Sequence, residues 1–181
     1  MRMAVKASAA SEVVLISLGA NLGDGARTLR TALAALQTLP TCRLIEASSL
    51  YRSAPVDAAG PDYWNAVVAM HCGLTPEVLL ARLQRIEKAH GRARPTGVHN
   101  APRTLDLDLL LFGSRHLQDE RLVLPHPRMH LRAFVLVPLA EIWPYWTLPD
   151  GESVAQAARR LQQLGQQVER VGPLAVSSTD S

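Results

Sequence analysis

The order of strand and helix signals along residues 13–112 constrains the fold more than any other feature of this sequence. Short runs rich in apolar and β-branched residues predict four strands, and leucines recurring every three or four residues predict two helices. The predicted strands cover about 13–18, 43–53, 63–72 and 105–112, and the predicted helices about 25–39 and 76–91. This β-α-β-β-α-β order predicts an α+β, ferredoxin-like core with an antiparallel sheet.

The ends of these segments carry residues with known local preferences. Asp24 can cap the first helix, and Pro40 ends it. Thr75-Pro76-Glu77 combines a capping residue, a proline at the first helical position and an early acid, and so predicts the start of the second helix. Residues 54–62 contain two prolines and a glycine, which predicts a loop that joins the second and third strands as an antiparallel hairpin.

Residues beyond Gly113 are expected to form a C-terminal helical appendage. Helical patterns cover about 129–142 and 153–164. We therefore expect a single domain over residues 12–165, with a frayed N-terminus over 1–11 and a partly disordered tail over 166–181.

Composition excludes several classes of protein. A hydrophobic share of 48% exceeds that of disordered chains, and no apolar run approaches the ~20 residues of a membrane span. The start of the chain lacks the apolar region of a signal peptide, so we expect a cytoplasmic protein with no membrane partner. A net charge of +3 permits a phosphate-bearing partner without requiring one.

Two cysteines, Cys42 and Cys72, occur without a CxxC motif or a nearby histidine cluster, which argues against a zinc site. A hairpin with its midpoint near Asp57 would place both at similar heights on adjacent strands. We therefore expect the two thiols to lie close together and to stay reduced.

The most informative segment contains Asp106 and Asp108 on the last predicted strand of the core. Strand alternation puts the two carboxylates on one face, with Cα atoms roughly 7 Å apart, and predicts that this face becomes apolar at Leu110 and Phe112. Like charges side by side repel, and Mg²⁺ with its preference for carboxylate and phosphate oxygens would compensate them. The alternative is a solvated strand face with arginine partners.

Basic residues concentrate between positions 82 and 103. Arginine side chains bind phosphate oxygens through paired hydrogen bonds, and a loop at about 91–101 could close over a polyphosphate. Those on the second predicted helix fit an exposed helix face, whereas those beyond it fit phosphate binding. The helix carries Arg82, Arg85 and Lys88, and the segment beyond it carries Arg92, Arg94 and Arg103.

A further candidate is His126, which lies between Pro125 and Pro127. The prolines restrict the backbone on both sides, which suits a hydrogen-bond donor held toward a ligand. An ordinary turn explains the same pattern equally well.

Taken in order, seven motifs resemble the 6-hydroxymethyl-7,8-dihydropterin pyrophosphokinase family of folate biosynthesis. The resemblance runs from about residue 13 to 150. The motifs are LGANLGD (18–24), SSLYRSAPV (48–56), PDYWNAVV (61–68), QRIE (84–87), GRARP (91–95), PRTLDLDLLLFG (102–113) and LPHPRMHLRAFVLVPLAEI (124–142).

The resemblance implies an enzyme that transfers pyrophosphate from ATP to the pterin alcohol and releases AMP. It implies two Mg²⁺ ions held by Asp106 and Asp108, with Asp108 also a candidate proton acceptor, and phosphate contacts from Arg92 and Arg103 around the transfer step. The implied nucleotide site comprises Gln84, Glu87, Arg94, Leu109, Arg121 and His126. The implied pterin site comprises Ser53, Val56, Tyr63, Asn65 and Phe134.

Two other functions fit parts of the pattern. A basic ferredoxin-like nucleic-acid module would need exposed aromatic residues on its sheet, and aromatic residues make up only 4% of this chain. A magnesium-dependent transferase with another acceptor would keep the carboxylates but have no use for Asn65 and Phe134, although Tyr63 and Phe134 could also be ordinary core residues. We expect ATP and the pterin as partners, no nucleic acid, and a monomer.

Overall fold

The computed structural model describes residues 11–55, 60–91 and 104–175. Within these ranges a six-stranded sheet has the order β5-β1-β4-β3-β8, with β2 paired to β4 beside β3. The strands are β1 (Glu12–Ala20), β2 (Cys42–Ala47), β3 (Ser49–Ser53), β4 (Tyr63–Cys72), β5 (Asp106–Phe112), β6 (Leu117–Gln118), β7 (Val123–Leu124) and β8 (Val168–Pro173). The α-helices are α1 (Gly25–Gln37), α2 (Pro76–Ala89), α3 (Ala133–Ile142) and α4 (Val154–Gln163).

Strands β1 to β5, together with α1 and α2, confirm the predicted ferredoxin-like core. The paired strands of the sheet run antiparallel, and β1 lies between β4 and β5. The predicted caps are present, since the Asp24 carboxylate accepts a hydrogen bond from the Arg27 amide at 3.0 Å and the Thr75 hydroxyl accepts one from the Val78 amide at 3.4 Å. None of the helices that the structure describes is long and apolar enough to cross a membrane.

One face of the sheet packs against α1 and α2. Every second residue of β1 and β4 points into this core, where it meets the leucines of the two helices. The buried residues include Val14, Ile16 and Leu18 of β1, Ala66, Val68 and Met70 of β4, Leu29, Leu33 and Leu36 of α1, and Leu79 and Leu83 of α2.

The opposite face packs against α3 and α4, which are the predicted helical appendage. Leu15, Val67 and Ala69 from the sheet meet the apolar side of both helices. Glu141 on α3 also accepts hydrogen bonds from the backbone and hydroxyl of Ser49 at 2.8 and 2.7 Å and from the Tyr51 hydroxyl at 2.7 Å. The carboxylate thus fixes α3 to the middle of β3.

The predicted strand 43–53 is two strands, β2 and β3, which both pair antiparallel with β4 and are interrupted at Ser48. A register shift lies between Leu44 and Glu46, which leaves an extra residue in β2 opposite β4. Ser48 itself stays bound to β4, since its amide donates to the Val67 carbonyl at 2.9 Å and its hydroxyl accepts from the Val67 amide at 3.0 Å.

The expected closeness of the two cysteines is confirmed, and their reduced state stays a prediction. Cys42 and Cys72 are directly paired in the β2–β4 register, both are free, and their Sγ atoms are 2.6 Å apart. The pair lies at the opposite end of β4 from Tyr63 and Asn65.

One expectation needs correction. Phe112 does not share a face with Asp106, because a register shift in the β1–β5 pairing at Leu110 turns Phe112 toward α1 and α2. Within the expected tail, residues 168–173 form β8, which pairs with β3. The β8 sequence VERVGP is mostly exposed and lacks an alternating apolar pattern, so periodicity could not reveal it.

Candidate active site

Four residues line up across the sheet on the face that α3 covers only in part. In register, Asp106 of β5 lies opposite Gly19 of β1, Gly19 lies opposite Asn65 of β4, and Asn65 lies opposite Tyr51 of β3. We call this set the site row. With neighbouring strands ~4.8 Å apart, the Cα atoms of Asp106 and Asn65 are ~10 Å apart. The row thus puts a carboxylate and an amide on either side of a glycine.

Asp108 extends the row along β5 and meets two groups from the segment before α3. Its Oδ2 atom is 3.6 Å from Nη1 of Arg132 and 4.0 Å from Nε2 of His126. Leu107 and Leu109 point into the α1/α2 core, so Asp106 and Asp108 share the other face, as alternation predicts. An arginine partner is therefore present at Asp108, and that arginine was not among our candidates.

Two hydrogen bonds fix His126, one through its backbone amide and one through its ring. Its own amide donates to the Leu110 carbonyl at 2.8 Å, and the Arg128 amide donates to its Nδ1 atom at 3.1 Å. Burial, followed by the positive charges of Arg132 and Arg128, lowers the pKa of His126 from 6.5 to about 4, against the opposing charge of Asp106. The ring is neutral at pH 7, and because Nδ1 accepts, the proton is on Nε2, which faces Asp108.

Glu87 links α2 to the carboxylate strand. It is 2% exposed, and its Oε1 atom accepts a hydrogen bond from the Leu107 amide at 2.8 Å. Leu107 lies between the two aspartates, so this bond fixes the position of β5 at the site. Gln84 is one helical turn earlier and is exposed, which leaves its side chain available to a ligand.

The other two expected nucleotide contacts lie at the edge of the sheet. The Leu109 side chain is 3% exposed and belongs to the α1/α2 core, so only its backbone could reach a ligand. The Leu107 amide points outward to Glu87, and the backbone of Leu109, two residues on, points to the same outer edge of β5. Arg121 is exposed in the turn between β6 and β7, where its amide donates to Asp119 at 2.8 Å.

The other end of the site row contains most of the expected pterin contacts. Asn65 is 3% exposed, and its Nδ2 atom donates to the Ser53 hydroxyl at 2.9 Å and to the Tyr63 carbonyl at 3.3 Å. Tyr63 is half-buried on the same face of β4. Phe134 is half-buried in the first turn of α3, and the Arg132 guanidinium is 5.6 Å from its ring centroid.

Asp106 and Asp108 fit a Mg²⁺ ion that is also bound by substrate phosphates. No group of three or more His, Cys, Asp or Glu side chains comes together in the part of the chain that the structure describes. Two carboxylates on one strand face are what Mg²⁺ uses when phosphates and waters complete its coordination. A metal held by protein side chains alone would need more ligands than this.

The structure therefore brings together Asp106, Asp108, His126 and the pterin candidates Ser53, Tyr63 and Asn65 on one face of the sheet. Val56, Arg92, Arg94 and Arg103 lie outside the described residues. Sequence reasoning missed Arg132. Its signal was a basic residue directly before the apolar run of α3, a position where a positive charge gains nothing from the helix N-terminus.

Comparison with known proteins gives consistent results. The profile of the 7,8-dihydro-6-hydroxymethylpterin-pyrophosphokinase (HPPK) family matches residues 15–144. A 2-amino-4-hydroxy-6-hydroxymethyldihydropteridine pyrophosphokinase of Pseudomonas aeruginosa is 44% identical over 144 residues, which cover 79% of this chain and 88% of that protein. The protein of the same name from Haemophilus influenzae is 42% identical over 146 residues, which cover 80% and 90% of the two chains.

Among solved structures, wild-type HPPK-DHPS of Plasmodium falciparum superposes with a TM-score of 0.64 at 13% identity. The match covers 83% of this chain and 41% of that one, so the fold that the two share makes up less than half of the larger protein. The matched profile contains the whole site row, and the relatives align over most of their own length. On these grounds, the chain belongs to the HPPK family.

Proposed function

We propose that this chain transfers pyrophosphate from ATP to the hydroxymethyl group of 6-hydroxymethyl-7,8-dihydropterin, yielding AMP and the pterin diphosphate, a step of folate biosynthesis. The observation that carries the proposal is the site row, in which a carboxylate suited to metal and phosphate lies two strands from a buried amide suited to a heterocycle. Two different ligands can therefore bind side by side on one sheet face.

On the nucleotide side, Asp106 and Asp108 would hold Mg²⁺, with two ions expected when ATP is bound. The metal would neutralise phosphate charge during the transfer. Around it, Arg132 and the neutral Nε2–H of His126 are donors toward the same space. Gln84, the outward backbone of Leu109 and Arg121 would contact the nucleotide at the edge of β5, and Glu87 would act by fixing that strand. We assign further phosphate contacts to Arg92, Arg94 and Arg103.

On the pterin side, the Asn65 amide is fixed by the bonds it donates to Ser53 and Tyr63, so its carbonyl oxygen has a set direction. A planar heterocycle with N–H groups on its edge is the ligand that such an amide recognises. Tyr63 and Phe134 provide aromatic surface on the same face. We also include the backbone at Val56 in this site.

In the proposed reaction the pterin hydroxyl oxygen attacks the β-phosphorus of ATP in line. The new O–P bond forms as the bond from the β-phosphorus to the α–β bridging oxygen breaks, so AMP leaves with that oxygen. Asp108 is the proposed acceptor of the hydroxyl proton. The protein contributes mainly by positioning the two substrates. Holding both in reacting geometry raises their effective concentration and so speeds the transfer.

The test measures AMP formation from ATP with Mg²⁺, with and without 6-hydroxymethyl-7,8-dihydropterin. We expect AMP only when the pterin is present, with one AMP for each pterin diphosphate. Formation of ADP instead of AMP, or equal AMP release with unrelated alcohols, would contradict the assignment and favour a transferase with another acceptor. The same preparation should elute as a monomer and should not retain nucleic acid, and the proposed location is the cytoplasm.

A further inference from the structure

Gln166 binds the backbone on both sides of Arg132. Its Oε1 atom accepts a hydrogen bond from the Ala133 amide at 2.9 Å, and its Nε2 atom donates one to the Leu131 carbonyl at 3.1 Å. These two groups belong to the two peptide units that flank the Cα atom of Arg132. Gln166 lies outside residues 15–144, so the match to the family profile gives it no role.

The start of α3 has no cap of its own. Arg132 occupies the N-cap position, and its side chain accepts no hydrogen bond from the helix. The first amides of a helix have no acceptor within it, and a buried amide without one is costly. Ala133, the first helical residue, is fully buried. Gln166 supplies the acceptor from 33 positions along the chain, which leaves the Arg132 side chain for other contacts.

The turn after α4 brings Gln166 to this position. Gly165 has a φ of +97°, a left-handed conformation that glycine adopts without strain. The Gly165 amide donates to the Gln162 carbonyl at 3.0 Å, and the Gln166 amide donates to the Leu161 carbonyl at 3.1 Å. These bonds end α4 and fix the backbone of Gln166, so a closed turn directs its side chain toward α3.

Arg132 lies between the two halves of the proposed site. Its Nη1 atom is 3.6 Å from Oδ2 of Asp108, and its guanidinium carbon is 5.6 Å from the centroid of the Phe134 ring. The Arg132 backbone is extended, with φ −119° and ψ 107°, between a short 3-10 turn (Met129–Leu131) and α3. The direction of its side chain therefore depends on how the two flanking peptide units are held, and Gln166 holds both.

We propose that Gln166 is a positioning residue for the transfer reaction and that it acts through Arg132. This inference rests on the proposed function. By fixing both peptide units beside Arg132, Gln166 directs the guanidinium to the space next to Asp108, where the phosphates would bind. Because a misplacement of about 1 Å can cost ~100-fold in rate, a loosened backbone at Arg132 should lower turnover although Gln166 touches neither substrate.

The chain offers a matched control in Gln162, near the end of α4. It is half-buried like Gln166, and its Nε2 atom also donates to a backbone carbonyl, that of Val168, at 3.4 Å. Gln162→Ala therefore removes a glutamine and a side-chain bond to the backbone at the same end of the same helix. It leaves both bonds that hold Arg132 in place.

The experiment measures kcat for AMP formation in wild type, Gln162→Ala, Gln166→Ala, Arg132→Ala and the double variant Gln166→Ala/Arg132→Ala, well below their melting temperatures. Gln166→Ala should lower kcat at least tenfold, whereas Gln162→Ala should stay within twofold of wild type. The double variant should have the kcat of Arg132→Ala within twofold, because the direction of a side chain that is absent no longer matters.

A second readout does not depend on activity. In hydrogen exchange of the free protein followed by NMR, the Ala133 amide should exchange several-fold faster in Gln166→Ala than in wild type or Gln162→Ala. If Gln166→Ala fails to fold, Gln166→Glu replaces it in the kinetic comparison with the same expected result. Its carboxylate can still accept from the Ala133 amide but cannot donate to the Leu131 carbonyl.

Each other outcome has a defined meaning. Wild-type kcat in Gln166→Ala or in Arg132→Ala, or an equal loss in Gln162→Ala, overturns the inference and leaves the proposed function intact. A double variant whose loss is the product of the two single losses also overturns it, because Gln166 would then serve the fold independently of Arg132. Unchanged exchange at Ala133 in Gln166→Ala overturns it as well. Failure of the wild-type protein to form AMP with the pterin would overturn the proposed function instead.

Discussion

The two faces of the central sheet are made by the same strands, yet they differ in what they bury. The face against α1 and α2 is apolar along the whole length of β1, from Val14 to Ala20. On the face against α3 and α4, Leu15 is the β1 residue that belongs to the buried core cluster, and further along β1 this face presents Ser17 and Gly19 next to Asp108 and Asp106. The face against α1 and α2 therefore buries apolar side chains along nearly all of β1. The face against α3 and α4 buries them only in the first half of β1.

This difference shows how a sheet can carry like charges side by side. On β5, Leu107 and Leu109 are almost fully buried on the first face, and Asp106 and Asp108 alternate with them on the second. Burying a leucine side chain contributes about 1.5–3 kcal/mol. The strand is thus held in place by its leucines on one side, while the other side carries the two carboxylates.

The largest expected effect comes from removing a carboxylate on the second face. Asp106→Ala or Asp108→Ala should lower turnover by roughly 10³-fold or more, since several kcal/mol of charge stabilisation are lost and each tenfold corresponds to ~1.4 kcal/mol. The midpoint of urea unfolding should change little, because Leu107 and Leu109 hold the strand from the opposite face. Steady-state kinetics and urea titration of the same preparations check both statements. Full activity in Asp106→Ala would remove the metal site from the proposal.

Leu107→Ala should show the reverse behaviour, although it changes the residue between the two aspartates. Its side chain is 4% exposed in the α1/α2 core, so truncation should cost about 2–5 kcal/mol of unfolding free energy. Turnover of the folded protein should fall by less than tenfold. Urea titration and an assay well below the melting temperature measure the two effects. A variant that is stable and inactive would mean that the two faces are not energetically separate.

A smaller effect is expected where α3 is fixed to the second face. Glu141→Gln should lower the unfolding free energy by about 1–3 kcal/mol at pH 7, because it weakens charged hydrogen bonds to Ser49 and Tyr51. Glu152→Gln, which affects a carboxylate bound to the Arg160 side chain and to no buried hydroxyl, is the control and should lower the unfolding free energy less.

The effect at Glu141 should depend on pH in a defined direction. Burial acts to raise the pKa of Glu141, but hydrogen bonds from Ser49 and Tyr51 and the charge of Arg170 outweigh it and lower the pKa below 4.5. A lowered pKa in the folded state means that the contribution is fully present above pH 4.5 and is lost as the pH falls further. Urea titrations of wild type and Glu141→Gln should therefore converge in acid. A difference in unfolding free energy between wild type and Glu141→Gln that grows in acid would contradict this assignment.

The smallest effect on function is expected at the cysteine pair. Burial and the contact with Cys72 raise the pKa of Cys42 to about 12, so little thiolate is present at pH 8. Ellman's reagent should therefore react slowly with Cys42, at a rate that rises about tenfold for each pH unit. Cys72 lies seven positions along β4 from Asn65, about 23 Å of strand, so Cys42→Ser should leave turnover unchanged. Rapid labelling at pH 8 would show that the pair opens to solvent.

Residues with a strong local signal were predicted well, and residues placed by tertiary contacts were not. The bounds of β4 and the caps Asp24 and Thr75 follow from alternation and capping preferences that act within a few residues. The register shift at Leu110 depends on pairing between distant strands, so the orientation of Phe112 was predicted wrongly. The paired aspartates were visible as a pattern, whereas Arg132 reaches Asp108 only because the chain before α3 folds back over β5.

The hydrogen bond from the Leu107 amide to Glu87 has a consequence for the chain between them. It joins residues twenty positions apart, so the two ends of the chain between Glu87 and Leu107 are held together whatever the length of that chain. The entropy of closing a chain segment grows only by ~0.6 kcal/mol per doubling of its length, so a longer segment between Glu87 and Leu107 would cost folding little. The number of residues between these two positions is therefore open to change without moving Asp106 and Asp108.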